Sequence, residues 1–412
     1  MTDTPRKTLV HFGAGNIGRS LVAPIFTRAG YAVVFVDPVR AIVDALNTRH
    51  SYTVQISDTL PPGTPDRISV TNVRALDAAN MPAVLAALAS CTMASTAVGA
   101  TILPKLAPLF ARALASRSQP LNILLCENLR HAATILRTAI QRQPMPTRTP
   151  VAPLGLIETS IGKMVPLMPP EVRARDPLLV WAEAYNQIIA DADGFIGPPP
   201  LIDGLVVKPD FAAYVDRKLF IHNLGHAAAA YFGFLRGHAA IWECMADAAV
   251  RARVAQVMQA AGHALLVHYP AVFTPAALDE HIADLLHRFA NRALGDTVYR
   301  VGRDLPRKLA PDDRCLGALR LIQKTGGDPA PVCAVIAAAL RFDARDDHGQ
   351  MFPADAQVQQ YLSAHGLAPT LAQYCGLDPV RDATVICSIT TVHNRLILES
   401  TFLETRTIPP LT

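Results

Sequence analysis

Leu9-Val10-His11-Phe12-Gly13-Ala14-Gly15-Asn16-Ile17-Gly18-Arg19 decides how the first half of the chain is read. An apolar run ends at Phe12, a G-x-G-x-x-G spacing follows at once, and an amphipathic stretch of helical period begins at Asn16. In that setting each glycine has its own task. Gly13 permits a tight turn, Gly15 lets a diphosphate approach the backbone, and Gly18 allows the helix to pack closely on the strand. Ala14, Asn16 and Ile17 complete the turn, where the N–H groups of the helix N-terminus meet an anion. A second apolar run ends at Val36, and Asp37 follows it, 19 residues after Gly18. An acid at that distance accepts hydrogen bonds from an adenosine ribose 2′-hydroxyl and repels a 2′-phosphate, which favours NAD over NADP, although Arg40 leaves room for dual use. The plain alternative is that the glycines only shape a turn and Asp37 caps the helix behind it.

The same alternation of strand and helix continues on the C-terminal side. Short apolar runs at 8–12, 32–36, 68–73, 92–98 and 122–126 are separated by helical patterns at 16–29, 40–48, 81–89 and 107–117. Strands that alternate with helices make βαβ units, and hence an α/β, Rossmann-type doubly wound parallel sheet. Runs at 152–157 and 178–185 read as extra strands extending that sheet, with some antiparallel pairing. Pro- and Thr-rich 144–153 and the prolines at 198–200 read as connectors. Ser95-Thr96-Ala97-Val98-Gly99 closes one of the strands, which puts Val98 and Gly99 near the nicotinamide ribose or makes them an ordinary turn.

Past Asp210 the pattern changes to long Ala- and Leu-rich segments of helical period, at 212–234, 239–268, 275–293, 312–324, 331–341, 355–365 and 383–399. The expected organisation is therefore an N-terminal cofactor domain, 1–208, and a C-terminal all-α domain, 209–412, with the active site between them.

Composition narrows the function classes. The chain has 412 residues, of which 50% are hydrophobic and 17% charged, enough apolar surface for two substantial cores. A net charge of +4, with no basic tail, disfavours nucleic acid as a partner. No apolar run reaches the ~20 residues that span a bilayer, and the N-terminus has no signal-peptide pattern, so a cytoplasmic, non-membrane protein is expected. Seven cysteines are scattered without a C-x-x-C, which disfavours both a disulfide framework and a zinc site. No metal is expected.

Asp216-Arg217-Lys218-Leu219-Phe220-Ile221-His222-Asn223-Leu224-Gly225-His226 carries the second informative pattern. At about 100° per residue, Asn223 lies about 140° round from Lys218 and His226 about 80°, so the three share one arc. An amine, a carboxamide and an imidazole suffice to oxidise an alcohol. The neutral amine takes the hydroxyl proton and the amide N–H groups stabilise the oxyanion. A free lysine, with a pKa of ~10.4, is a poor base near neutrality, so the site must depress it by burial or nearby positive charge. The bland reading is equally open here: a snorkelling Lys218, an exposed Asn223 and a core His226. Arg300, Arg303, Arg307 and Lys308 form a basic run that suits an anionic or hydroxyl-rich substrate, or simply a solvated face.

Taken together, FGAGNIGR (12–19), LNTRHSYTV (46–54), STAVGATILPKLAP (95–108), LLCENLRH (124–131), the Lys218/Asn223/His226 pattern and RVGRDLPRKL (300–309) resemble the mannitol-1-phosphate branch of the polyol-specific long-chain dehydrogenases, the mannitol dehydrogenase family. The resemblance implies a Rossmann-type domain followed by a helical one and metal-independent chemistry with NAD. Lys218 would be the general acid/base, Asn223 and Asn128 the oxyanion contacts, and His226 the residue that orients substrate. Arg300, Arg303 and Lys308 would bind a sugar alcohol or sugar phosphate, and the reaction would interconvert mannitol 1-phosphate and fructose 6-phosphate. The family usually reads S-x-x-D-R-I-x-P where this chain has Thr159-Ser160-Ile161-Gly162-Lys163-Met164-Val165-Pro166, so an Asp-Arg pair has become Gly162-Lys163. The lost carboxylate bears on the sugar, for which Glu158 is a candidate substitute. An unphosphorylated polyol, a sugar acid of the altronate or mannonate type, and a non-catalytic NAD-binding sensor are the alternatives.

Overall fold

The computed structural model describes residues 7–406 apart from 59, 61–62, 145–150 and 167, with side chains through residue 398. Most of the expected 144–153 connector therefore lies outside the described residues. Contacts divide the chain into Met1–Tyr214 and Val215–Thr412, a boundary a few residues beyond the 208/209 expected.

The first unit is built on β1 (Thr8–Phe12), α1 (Ala23–Arg28), β2 (Ala32–Asp37), α2 (Arg40–Arg49), β3 (Ser51–Ile56), β4 (Arg67–Thr71), β5 (Val73–Asp77), α3 (Met81–Ser90), β6 (Met93–Thr96), α4 (Ala107–Ala115), β7 (Leu121–Leu125), α5 (Ala132–Gln141), β8 (Leu154–Ser160), α6 (Pro170–Arg175), β9 (Val180–Ala182), β10 (Ile188–Asp191) and β11 (Leu205–Lys208). Its main sheet has the order β11-β10-β8-β7-β6-β1-β2-β5. It is parallel from β5 to β8; β10 then runs antiparallel to β8, and β11 parallel to β10. Alternate residues of β1 explain its unbroken apolar sequence: Leu9 joins Phe26 and Phe35 in one core, while Val10 and Phe12 join Phe110 and Leu125 in another. The chain leaves β1 toward β2 and β5, then returns to β6 on the other side. That reversal makes the carboxyl ends of β1 and β6 the switch point where ligands bind in open α/β sheets.

Two strand expectations need correction. The run 68–73 is two strands in different sheets, β4 and β5, separated by Asn72 in the left-handed region at φ 62°. Asn tolerates that conformation, and its side-chain amide donates to the Tyr31 carbonyl at 2.9 Å. The run 178–185 does not extend the main sheet. Its three-residue β9 pairs with β3 in a smaller sheet, β4-β3-β9, and the extension comes instead from β8, β10 and β11.

The second unit is helical. Its elements are α7 (Phe211–Arg217, begun in the first unit), a π-helical turn (Lys218–Asn223), α8 (Leu224–Phe234), α9 (Ile241–Ala246), α10 (Ala248–His268), α11 (Pro275–Phe289), α12 (Val298–Gly302), α13 (Leu305–Lys308), α14 (Arg314–Lys324), α15 (Ala330–Ala339), α16 (Pro353–His365), α17 (Leu367–Cys375) and α18 (Ala383–Arg406). The expected helix 239–268 breaks at Asp247, whose carboxylate accepts from the N–H groups of Ala249 (2.9 Å) and Val250 (3.2 Å) as the N-cap of α10. Among the described residues no helix is long and apolar enough to cross a membrane.

Candidate functional site

The glycine turn is fixed from three sides. Gly13 has φ 98° and donates to the Val36 carbonyl at 2.9 Å; a Cβ there would stand 2.5 Å from the Ala97 carbonyl oxygen. A Cβ on Gly18 would stand 2.5 Å from His11 Nε2, so this glycine serves helix-on-strand packing. Gly15 differs, because a Cβ there meets nothing within 4 Å. Open space over Gly15, at the start of a helix and the sheet switch point, is what the diphosphate of a dinucleotide requires.

Asp37 is braced by the backbone on either side of it. It is buried at the end of β2, where its Oδ2 accepts from Ala14 N–H at 2.7 Å and its Oδ1 from Val39 N–H at 2.8 Å. It therefore ties the glycine turn to the start of α2, and each oxygen keeps a lone pair for a ribose hydroxyl. Ala14 is buried, Ile17 half-buried and Asn16 exposed.

The N–H groups of Val98 and Gly99 are committed inside the protein. Glu127, buried just past β7, accepts from Val98 at 2.9 Å and from Gly99 at 2.7 Å. Sequence reasoning took only Asn128 from the Cys126-Glu127-Asn128 run, yet an acid beside a glycine turn of the neighbouring strand was the available signal. Asn128 is exposed in the bend beyond β7. His11 was also passed over. It is fully buried, its Nδ1 lies 2.7 Å from Ser95 Oγ, and burial pushes its pKa down to about 3.

In the helical unit, Lys218 opens the π turn that Asn223 closes. Bonds of the i→i+5 type bring residues five apart nearly into line, so Asn223 sits closer above Lys218 than the 140° of a regular helix allows. Burial, and then the Arg314 guanidinium, pull the Lys218 ammonium down to about 8. Arg314, at the start of α14, was not singled out from the sequence; it donates to the Asn223 carbonyl at 3.4 Å and to Asp313 Oδ1 at 2.7 Å.

His226 lies further along the same helix. Its ring stacks on Phe289 with centroids 4.8 Å apart and planes 10° from parallel, and its Nε2 lies 3.3 Å from Asp296 Oδ2. Asp296 is buried and pairs through its other oxygen with Arg300. Burial opposes ionisation of this carboxyl, but His226 and Arg300 outweigh it and hold the pKa below the usual range. His222 is buried beside Phe289, and its pKa is driven well down by burial and then by Arg288.

The basic run divides into different surroundings. Arg300 is partly exposed. The Arg303 guanidinium lies over the rings of Tyr299 and Phe352, 5.5 Å from each centroid, and its carbonyl accepts from Lys308 Nζ. Lys308 is buried, and burial followed by Arg314 and Arg307 lowers its pKa to about 7. Arg307 pairs with Asp304 at 2.5 Å. Arg314 thus acts on both Lys218 and Lys308, and a second acid, Asp355, accepts from the N–H groups of Asp304 (3.0 Å) and Leu305 (2.6 Å) to fix the turn that carries Lys308.

Lys163, at the departure from the family pattern, is turned to the protein's own backbone. It donates to the carbonyls of Glu183 at 2.8 Å and Tyr185 at 2.6 Å. Glu158 accepts from Ala133 N–H at 2.9 Å near the start of α5. Among the described residues no group of three or more His, Cys, Asp or Glu is placed to hold a metal ion.

A chain with this sheet, glycine turn and helical unit is an α/β dehydrogenase in plan, and the comparisons with known proteins give it a family. The mannitol dehydrogenase Rossmann domain matches residues 7–204 and the mannitol dehydrogenase C-terminal domain residues 210–392, so the chain belongs to the mannitol dehydrogenase family. It is 33% identical over 380 residues to a mannitol-1-phosphate 5-dehydrogenase of Brevibacillus brevis, covering 89% of this chain and 93% of that protein. It is also 33% identical over 377 residues to the protein of that name from Halalkalibacterium halodurans, covering 90% and 96%. Among solved structures, a substrate-free D-sorbitol dehydrogenase matches with a TM-score of 0.73 at 17% identity over 94% of this chain and 92% of that one. A Pseudomonas fluorescens mannitol 2-dehydrogenase, solved with NAD and D-mannitol, matches with a TM-score of 0.66 at 17% identity over 95% and 94%. At that identity the two structures speak for the fold.

Proposed function

We propose that this protein is an NAD-dependent dehydrogenase that interconverts mannitol 1-phosphate and fructose 6-phosphate, with Lys218 as its general acid/base. The observation that carries the reading is the state of Lys218: a half-buried amine in a π turn, held to about 8 by burial and Arg314, is a base near physiological pH where an ordinary lysine is not. The curated relatives of that name, at 33% identity over about nine-tenths of the chain, support the substrate.

Gly13, Ala14, Gly15, Asn16, Ile17 and Gly18 hold the diphosphate, Asp37 the adenosine ribose, and the turn at Val98 and Gly99, braced by Glu127, lies on the nicotinamide side. NAD held there would supply the acceptor for the hydride that leaves the alcohol carbon. Lys218 Nζ takes the hydroxyl proton during oxidation and returns it to the ketone oxygen during reduction. The Asn223 and Asn128 amides donate to the oxygen as charge develops on it. His226 orients the polyol, and Arg300 and Lys308 meet the phosphate, with Arg303 holding Lys308 through its carbonyl. One observation favours an unphosphorylated polyol as the second reading: Arg300 and Arg307 are already paired with Asp296 and Asp304. The ratio of kcat/KM for fructose 6-phosphate to that for fructose, with NADH, separates the two. The proposal expects a ratio above about 100, the worth of a charge-assisted phosphate contact; equal efficiencies would remove the phosphate from the account.

A further inference from the structure

We infer that Asp296 is a positioning residue that fixes the tautomer of His226, so that His226 presents its Nδ1 as a hydrogen-bond acceptor and selects a substrate hydroxyl at that place. The inference deepens the proposed function and rests on its assignment of His226 to substrate orientation.

The geometry leaves His226 little freedom. Its ring plane is set by the stack on Phe289, and its buried Nε2, which has no hydrogen-bond partner among the described residues, lies 3.3 Å from Asp296 Oδ2, so a proton on that nitrogen has a carboxylate beside it. An ionised carboxylate only accepts hydrogen bonds. Asp296 is kept ionised by Arg300 on its other oxygen. In a neutral imidazole one nitrogen carries the proton and the other accepts. A proton on Nε2 therefore leaves Nδ1 as the acceptor. Asp296 is itself held in place, since its carbonyl accepts from Ile241 N–H at 2.9 Å and Thr297, the next residue, caps α12 by accepting from Arg300 N–H at 3.1 Å.

The chemical consequence is a preference. An Nδ1 acceptor is satisfied by a hydroxyl that donates; it leaves a carbonyl, a carboxylate or a deoxygenated carbon unpaired or repelled. The site thus favours an open-chain polyol or hydroxyketone with a hydroxyl next to the reacting carbon over a sugar acid bearing its carboxylate there.

The experiment uses the full-length enzyme with NADH and fructose 6-phosphate, or fructose if that is the better substrate. Asp296→Asn keeps the shape, but its amide can donate to Nε2 and so moves the imidazole proton to Nδ1. The expected result is a loss of roughly 10- to 100-fold in kcat/KM, the consequence of a mismatched polar contact, with NADH affinity unchanged. In a His226→Ala background the same substitution should cost less than about threefold, because a partner already absent has no tautomer to lose. Nitrogen-15 NMR of histidine-labelled protein, with His226→Ala identifying the signals, should show the Nε2–H form in the parent and the Nδ1–H form in Asp296→Asn. If the Asp296→Asn loss persists in His226→Ala but vanishes in Arg300→Ala, Asp296 acts through Arg300 and the inference is overturned. An Nδ1–H form in the parent overturns it as well, and that readout stands even where Asp296→Asn does not fold. A His226→Ala enzyme with parental kinetics would instead strike at the proposed role of His226, while the NMR would still decide what Asp296 does.

Discussion

Replacing Arg314 with Gln tests the electrostatics of the reaction through a residue assigned no contact with substrate. Lys218 is held at about 8 against an ordinary 10.5. That gap multiplies the neutral amine fraction below pH 8 by about 300, and leaves roughly a tenth of the amine neutral at pH 7. Burial is the larger cause and Arg314 the smaller, so removing the guanidinium gives back less than half the gap, roughly one pH unit. The sign follows from the chemistry. Oxidation needs the neutral amine, so its rate rises with pH through the Lys218 pKa; reduction needs the ammonium and falls through the same value. Arg314→Gln should move both inflections up by roughly one pH unit and lower polyol oxidation at pH 7 by up to about tenfold. The alkaline plateau should stay within a few-fold of the parent, and Arg314→Lys should restore most of the profile. The assay is the initial rate of NADH formation from saturating polyol, from roughly pH 6 to pH 10. An inflection that stays in place, or moves down, refutes the reasoning, because no charge effect of a removed cation has that sign.

The glycine turn separates stability from cofactor binding. Gly15→Ala should melt like the parent and bind NADH more weakly, by roughly 10-fold or more, since its Cβ meets only open space. Gly18→Ala, whose Cβ presses on His11, should lose about 1–3 kcal/mol in chemical denaturation. Stability should also fall on acidification below the ordinary histidine value of 6.5. Buried His11 and half-buried His281, both pushed to about 3 by desolvation, stay neutral in the folded protein while the unfolded chain takes up their protons. Each contributes a slope of at most about 1.4 kcal/mol per pH unit between those limits, readable from denaturation midpoints at several pH values. A flat profile would mean that these rings are charged or exposed. Lys163→Met should destabilise the fold by about 1–3 kcal/mol without changing the preference among sugars, because it loses bonds to the Glu183 and Tyr185 carbonyls. A changed sugar preference at unchanged stability would return Lys163 to the substrate.

The parts of the molecule legible in the sequence are those where one local pattern has one physical solution. The strand and glycine turn from Leu9 to Gly18, with Asp37 at the end of the next strand, form as read, while the helix that follows runs through a π-helical stretch, Gly18–Val22, before α1. The helical second half was readable from period alone. What was hidden depends on contacts distant in sequence or on departures from ideal geometry. Period-two alternation announces a strand but not its sheet, so β9 was assigned to the wrong one and the split between β4 and β5 at Asn72 was missed. A period of 3.6 predicts a helix across residues 212–234 but has no means of marking the π turn inside it. Glu127, Asp296 and Arg314 act on residues about 29, 70 and 91 positions away, on Val98, His226 and Asn223. Glu127 and Arg314 lie within segments quoted from the sequence and Asp296 between two of them, yet only the fold shows which backbone or ring each serves.

The central claim is that one amine carries the proton, and Lys218→Ala in the full-length protein tests it most directly. NADH affinity and melting temperature should match the parent, while turnover of the best ketose falls by roughly 100- to 10,000-fold and the pH inflection assigned to this group disappears. An alanine enzyme that binds NADH normally, turns over at the parental rate and keeps its pH profile would contradict the account.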